Sequence, residues 1–220
     1  MVVNVVNDEF VRILGISIEN FKNTHKGQIK LSSMNTNKLE SDIIGIYGQN
    51  GSGKTSIITA ISMIKKIISN KRLDEDVFKY MMVDELSTKI MVKFLVETKN
   101  NTYETEYIVL ITKDKREDEY FPVIKKESLV YWDYSDGNKK RKKCLIEVDN
   151  NKNGLKPVYR YDQLKKVFGD ENDLIVEKKL SYRTSKSFIF SSVLYGLIPN
   201  LPVEYEIIKA LERYARSNLF

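Results

Sequence analysis

The sequence predicts an α/β fold with a P-loop core, an antiparallel β-meander after it, and helices towards the C-terminal end. Three observations lead to this prediction. A G-x-x-x-x-G-K-T motif spans residues 48–55, between an apolar stretch and a helical pattern. Strand-like segments then follow one another without intervening helices, and helical periodicity dominates beyond about residue 155.

The segments before the motif predict strands, and the segment after it predicts a helix. FVRILGISIE (10–19) is expected to pair with QIKLSS (28–33) across a loop that holds Gly27. SDIIGIY (41–47) is typical of a strand buried on both faces, and it leads directly into the motif. From Thr55 to about Asn70, apolar residues recur at helical spacing, which predicts a helix packed on a sheet.

The middle of the chain has the period of β-strands. After a short helical piece near 74–83, KIMVKFLVET and TYETEYIVLI alternate apolar and polar residues around a KNN turn, which predicts a hairpin. YFPVIKKESLVYW and CLIEV extend it into a meander. The predicted helices beyond are YDQLKKVF, KSFIFSSVLYGLI and PVEYEIIKALERYARS. The expected boundaries are a P-loop lobe at 1–88, the meander at 89–150 and a helical segment at 151–220.

The composition is that of a globular chain of 220 residues, of which 42% are hydrophobic. A single cysteine and a single histidine exclude an internal disulfide and a zinc or iron cluster, so any metal ion is expected to be a hard cation. No apolar run has the length of a membrane span, and residues 1–14 lack a secretory signal. A cytoplasmic location without membrane contact is therefore expected.

The motif predicts a site for a nucleoside triphosphate with Mg²⁺. Its glycines let the backbone turn its N–H groups inward at a helix N-terminus, where negative charge is favoured. We expect Lys54, the predicted catalytic residue, to reach the β- and γ-phosphates, Thr55 to bind Mg²⁺, and Ser56 to donate to the α-phosphate. Asn50 either binds a γ-phosphate oxygen or the attacking water, or only stabilises the turn. The predicted loop residues are Gly48, Gln49, Asn50, Gly51, Ser52, Gly53, Lys54, Thr55 and Ser56.

Other classes of P-loop protein, and a role in nucleic-acid binding, fit less well. NKRLD (70–74) places its Asp one residue too late to match the Asn/Thr-Lys-x-Asp element that recognises guanine. A GTPase is therefore not expected. A small-molecule kinase would continue with alternating strands and helices.

The net charge of +6 favours polyanions, and KKRKK (139–143) could bind nucleic acid, with ATP as a regulator. A solvated loop is favoured for this run because it has no interleaved aromatic residues.

ILGISIENFKNTHKGQIKLS followed by GIYGQNGSGKTSIITAI resembles the N-terminal lobe of the ABC/SMC-like ATPases, the RecF and structural-maintenance class. It is most similar to the bacterial AAA-family ATP-binding proteins related to OLD-nuclease and abortive-infection ATPases. Their pattern is a strand ending in Asn-Phe, here Asn20-Phe21, a second strand, and the loop N-G/A-S-G-K-S/T, matched at residues 50–55. The resemblance extends loosely to about residue 135 through the predicted hairpin.

The resemblance implies that ATP and Mg²⁺ lie between two heads, one giving the Walker A loop, a Walker B Asp-Glu pair and a switch histidine, the other a signature loop. It therefore implies an ATP-dependent homodimer or a second-lobe partner, and a nuclease or toxin partner in phage defence. Lys22, after Asn20-Phe21, either approaches the ATP like basic residues of that class or is an exposed loop lysine.

The chain departs from that class in several motifs. No apolar run leads directly into Asp-Glu, LSYRTSKS (180–187) lacks the glycines of a signature, and His25 is expected to be a loop residue rather than a switch histidine. We therefore expect the N-terminal portion of a longer ATPase, or one part of a split one. It should bind ATP·Mg²⁺ but hydrolyse it slowly, well below about 1 s⁻¹.

Overall fold

The strands of the described residues form one six-stranded antiparallel sheet with the order β2-β1-β3-β4-β5-β6. The computed structural model describes residues 10–31, 46, 47, 49, 53–99, 101–134, 141–150, 164, 166, 167, 169 and 171–217. The strands are β1 (Phe10–Phe21), β2 (Thr24–Lys30), β3 (Ser87–Glu97), β4 (Thr102–Arg116), β5 (Glu119–Asp133) and β6 (Lys143–Asp149). Because β1 pairs with both β2 and β3, the N-terminal hairpin and the meander share one sheet.

The helices lie before and after the meander in the chain. They are α1 (Lys54–Ile68), α2 (Glu171–Arg183), α3 (Ser192–Leu197) and α4 (Glu206–Ser217), with 3-10 helices at Glu75–Tyr80, Ile198–Asn200 and Val203–Tyr205. This architecture confirms the predicted α/β fold with an antiparallel meander and C-terminal helices. No helix in the described ranges is both long enough and apolar enough to cross a lipid bilayer.

The core lies between one face of the sheet and the helices α1 and α4. Alternate residues of β3 and β4 are fully buried there, as the period-2 pattern predicts. The apolar stripe of α1 packs on β1 and on α4, and Phe94 of β3 meets the ring of Tyr214 edge to face at 6.4 Å. Burial of each large apolar side chain stabilises the fold by about 1.5–3 kcal/mol. This packing fixes the start of α1 relative to the β1–β2 hairpin.

A buried carboxylate, that of Glu127 on β5, holds the segment that precedes α3. It accepts hydrogen bonds from Tyr107 Oη at 2.9 Å, Ser187 Oγ at 2.7 Å, Phe188 N at 2.6 Å and Ile189 N at 3.1 Å. Desolvation raises the pKa of Glu127, and the hydrogen bonds it accepts oppose that rise. The carboxylate therefore provides the acceptor that two backbone N–H groups of this irregular segment would otherwise find in a helix or a sheet.

Two features of the predicted β-structure need correction. Gly27 is not in the loop between β1 and β2, because it lies inside β2 opposite Ile18 and the turn is at residues 22–23. A Cβ on Gly27 would come within 3.0 Å of Thr24 Cγ2, so glycine here permits close packing inside the strand. His25, expected in a loop, is also part of β2, where it is exposed.

The C-terminal helices are only partly as predicted. Residues 186–191, predicted to be helical, form the irregular segment bound by Glu127, and α3 begins at Ser192. The sequence did not indicate α2, because its exposure pattern is inverted: Val176 and Leu180 are exposed while Lys178 and Ser181 are buried. The carbonyl of Arg183, at its C-terminal end, accepts a hydrogen bond from Arg116 Nη1 at 2.9 Å. Of YDQLKKVF, only residues 164, 166 and 167 are described, and all three are helical.

Candidate nucleotide-binding site

The candidate site is the start of α1, where the P-loop ends. Gly53 has a left-handed backbone with φ of 86°, and Ile57 N donates to Gly53 O at 3.2 Å to close the first helical turn. The first N–H groups of a helix have no acceptor within the helix, and α1 has neither a side-chain cap nor an acidic residue in its first turn. The start of α1 therefore favours an anion.

The predicted loop residues fall in two groups. The structure describes five of them: Gln49 and Thr55 are exposed, Gly53 and Lys54 are half-buried, and Ser56 is buried. The other four, Gly48, Asn50, Gly51 and Ser52, lie outside the described residues, as do residues 41–45 of the predicted strand.

The ammonium of Lys54 folds back over the loop that precedes it. Lys54 Nζ donates to the backbone carbonyl oxygen of Gln49 at 2.7 Å. This bond joins the first residue of α1 to the second residue of the motif, so it holds the ends of residues 49–54 together. The positive charge of Lys54 thus lies at the loop, where the motif predicts the β- and γ-phosphates.

The first two turns of α1 are linked by a threonine hydroxyl. Thr59 Oγ1 donates to the carbonyl oxygen of Thr55 at 2.7 Å, one helical turn earlier. The Thr55 side chain is exposed and faces no packed core, whereas Ser56 is only 6% exposed. Thr55, the residue predicted to bind Mg²⁺, is therefore directly accessible to a metal ion from solvent, whereas Ser56, the predicted donor to the α-phosphate, is not exposed.

The structure brings Lys22 to the same end of α1. Lys22 lies in the turn between β1 and β2, and its Nζ donates to Thr59 Oγ1 at 2.7 Å. The same ammonium lies 5.2 Å from the ring centroid of Tyr80, and Lys22 N donates to Tyr80 O at 2.7 Å. Lys22 is thus held by two other segments of the chain, which is not the arrangement of a solvated loop lysine.

Sequence reasoning missed Thr59, Tyr80 and Thr24 as neighbours of the site. Thr59 could have been found, because a residue four positions after Thr55 lies on the same face of a helix. Nothing local to the sequence indicates Tyr80, which reaches Lys22 through the 3-10 helix, or Thr24, whose Oγ1 lies 3.4 Å from where a Cβ of Gly53 would be.

Replacement of Gly53 by alanine is expected to lower the free energy of unfolding by about 1–2 kcal/mol, because alanine is strained in the left-handed region. The matched control is Gly196→Ala in α3, where a Cβ would meet nothing within 4 Å and a helical alanine is favourable. Urea unfolding of both variants measures the difference. Equal stability of the two variants would contradict the left-handed conformation of Gly53.

A cleft of about 290 Å³ lies elsewhere, between the 3-10 helix Glu75–Tyr80 and β5. None of its lining residues is a predicted nucleotide ligand, and two of its carboxylates are paired with lysines, Asp74 with Lys66 and Asp76 with Lys79. The cleft is therefore separate from the start of α1.

The acidic residues of two apolar runs, IVLITKD and LIEVDN, pair with basic side chains of the sheet. Asp114, from IVLITKD, accepts a hydrogen bond from Arg116 Nε at 3.1 Å, and Glu147, from LIEVDN, pairs with Lys126 at 3.0 Å. Across the described ranges, no group of three or more His, Cys, Asp or Glu side chains could hold a metal ion.

Part of the basic run 139–143 packs on the sheet. Lys142 Nζ donates to Glu106 Oε2 at 2.9 Å and lies 4.8 Å from the ring centroid of Trp132, while Lys143 lies over the ring of Tyr131. Desolvation raises the pKa of Glu106, but its contacts with Lys142 and Lys93 outweigh this effect and lower the pKa below its ordinary value. Residues 139 and 140 are outside the described ranges.

Comparison with protein-family models identifies the family of the chain. A protein-family model described as an AAA domain matches residues 16–198, which include the second half of β1, all of β2 and all of α1. Among curated proteins no match to the chain was found. Since the matched region is most of the 220-residue chain, the chain belongs to the AAA domain family of ATP-binding P-loop ATPases.

Proposed function

We propose that this chain binds ATP with Mg²⁺ at the start of α1 and that efficient hydrolysis requires a second ATPase head. The observation that carries the proposal is that two ammonium groups lie at the N-terminal end of α1, after left-handed Gly53. Lys54 Nζ donates to Gln49 O just before the helix, and Lys22 Nζ donates to Thr59 Oγ1 in its second turn. A polyphosphate is favoured by positive charge at a helix N-terminus, where the first N–H groups have no acceptor within the helix.

Each residue of the site has a distinct proposed role. Lys54 binds the β- and γ-phosphates and neutralises charge that develops in the transition state. Thr55 binds Mg²⁺ through its accessible hydroxyl, and Ser56 donates to the α-phosphate. Lys22 contributes a second positive charge beside the phosphates. Magnesium, which Thr55 would hold together with the nucleotide, would supply positive charge that offsets the negative charge of the phosphates.

Slow turnover by a single chain follows from what phosphoryl transfer to water needs. A carboxylate must orient the attacking water and help to hold the metal, and a further positive group must stabilise the γ-phosphate. Asp114 of IVLITKD and Glu147 of LIEVDN, two runs that depart from the Walker B pattern, are engaged by Arg116 and Lys126. In the proposal these groups come from a second head, in an ATP-dependent homodimer or with a second-lobe partner.

Calorimetric titration with MgATP, MgGTP and sulfate, followed by sedimentation at saturating MgATP, tests the proposal. We expect binding of MgATP, weaker binding of MgGTP, dimers only with MgATP, and turnover by the monomer well below about 1 s⁻¹. Absence of MgATP binding would overturn the nucleotide site. Fast turnover without self-association would overturn the requirement for a second head, and transfer of phosphate to a metabolite would point to a kinase.

A further inference from the structure

The hydroxyl of Thr59 connects Lys22 to the first turn of α1 in a defined direction. A threonine hydroxyl has one proton, and here that proton goes to Thr55 O at 2.7 Å. Thr59 Oγ1 is therefore the acceptor for Lys22 Nζ, also at 2.7 Å. The result is a chain of hydrogen bonds from the ammonium through the hydroxyl to the backbone of the residue predicted to bind Mg²⁺.

The backbone of Lys22 is held independently of its side chain. Its φ is 51°, in the left-handed region that non-glycine residues rarely adopt, and its N–H donates to Tyr80 O. On the neighbouring residues, Met82 N donates to Asn20 O at 3.0 Å, and the rings of Phe21 and Tyr80 stack with centroids 6.2 Å apart. Such a conformation persists only where the surroundings hold it, as they do here.

The ring of Tyr80 and the hydroxyl of Thr59 together restrict the Lys22 side chain. The ring centroid lies 5.2 Å from Nζ, within the range of a cation–π contact. An unrestrained lysine loses much rotamer freedom when it binds a ligand, whereas a lysine that is already ordered does not. An ammonium ordered in this way binds an anion more tightly than the same ammonium on a mobile side chain.

We propose that Thr59 and Tyr80 are positioning residues that order the Lys22 ammonium beside the phosphate-binding turn and so raise the affinity for the polyphosphate. This inference rests on the proposed binding of MgATP at α1. Neither residue is expected to touch the nucleotide, because each acts through Lys22.

Thr59→Val removes the hydroxyl while keeping the size and branching of the side chain, and Thr59→Ser is the matched control that restores the hydroxyl. We expect about a three- to tenfold weaker Kd for MgATP in Thr59→Val, and a nearly unchanged value in Thr59→Ser. In a Lys22→Met background, Thr59→Val should have no further effect on Kd, since its action passes through the ammonium. A purely structural role for Thr59 would instead give additive losses.

The ring of Tyr80 is tested in the same way. Tyr80→Phe keeps the aromatic face and the backbone carbonyl, so its MgATP affinity should match the wild type. Tyr80→Leu should weaken binding about threefold, and again only when Lys22 is present. Thermal unfolding of every variant checks that the fold is intact.

A measurement without nucleotide separates this inference from the proposed function. NMR of the lysine side-chain ammonium groups should show an ordered Lys22 signal in the wild type and in Thr59→Ser, but not in Thr59→Val. If the wild type binds no MgATP, the proposed function and the gain in affinity are both wrong, and this signal alone decides the positioning. An additive double mutant, or a Lys22 signal that persists in Thr59→Val, would overturn the inference.

Discussion

Replacement of Lys54 by alanine is expected to weaken binding of MgATP by about 100-fold or more. Each hydrogen bond to a charged group contributes about 1.5–3 kcal/mol, and Lys54 is proposed to bind two phosphates. The ammonium is already located at the loop by its 2.7 Å bond to Gln49 O, so its removal also releases the closure of residues 49–54. Calorimetric titration with MgATP measures the loss.

The matched control is Lys71→Ala. Lys71 is an exposed lysine just beyond the other end of α1, so this variant loses the same charge without touching the loop. Its affinity for MgATP should stay within about twofold of the wild type, because exposed charges at a distance are screened. If both variants bind MgATP as the wild type does, the assignment of the nucleotide to the start of α1 is wrong.

Replacement of Glu127 by alanine is expected to lower the free energy of unfolding by about 3–5 kcal/mol. The substitution leaves four buried donors without their acceptor, and each unsatisfied group costs about 1–3 kcal/mol unless water replaces the carboxylate. The irregular segment 186–191 would lose its anchor on β5. Urea unfolding followed by circular dichroism measures the change.

Glu127→Gln is the control, since its amide oxygen still accepts from Phe188 N and Ile189 N, while the hydroxyls of Tyr107 and Ser187 can rotate to accept from its amide group. We expect a loss of only about 1–2 kcal/mol. Equal losses for alanine and glutamine would show that the hydrogen bonds to this carboxylate do not hold the segment.

The two proteins, wild type and Glu127→Gln, should also differ in how their stability depends on pH. The pKa of Glu127 is raised in the folded state, from an ordinary value of 4.5, by desolvation. Between the ordinary value and the raised one, the folded state binds more protons than the unfolded state. The contribution of Glu127 to stability is therefore full below about pH 4.5 and declines as the pH rises through the folded pKa.

The comparison with Glu127→Gln removes the effect of other carboxyl groups. Ion pairing lowers the pKa of Asp74 and of Glu106. The contribution of these two residues to the free energy of unfolding therefore declines as the pH falls, which is the opposite of the dependence expected for Glu127. Both proteins contain them, and their contributions cancel in the difference. Unfolding free energies between pH 4 and pH 8 should show the wild type losing stability relative to Glu127→Gln as the pH rises. If the wild type instead gained stability relative to Glu127→Gln as the pH rose, the raised pKa of Glu127 would be contradicted.

Elements with a strong apolar period were predictable, and elements whose exposure is decided by neighbours were not. The hairpin of β3 and β4 and the helix α1 follow from their spacing, because one face of each is buried. The helix α2 was missed because Lys178 is buried, with its ammonium donating to Asp149 O at 2.7 Å, while Val176 is exposed. That inversion depends on β6, which is distant in sequence.

The sequence by itself determined the P-loop and the helix that follows it, because their residues are consecutive and each acts through local backbone geometry. The motif and the apolar stripe of α1 lie within a stretch of some twenty residues, and the helix predicted from Thr55 begins at Lys54 in the structure. Only the tertiary structure decided that the Lys22 ammonium donates to Thr59 and faces the ring of Tyr80. It also decided that the Glu127 carboxylate accepts hydrogen bonds from residues 187–189. Those contacts join segments 37 to 62 residues apart, and their pairing is set by how the sheet and helices pack rather than by any local pattern.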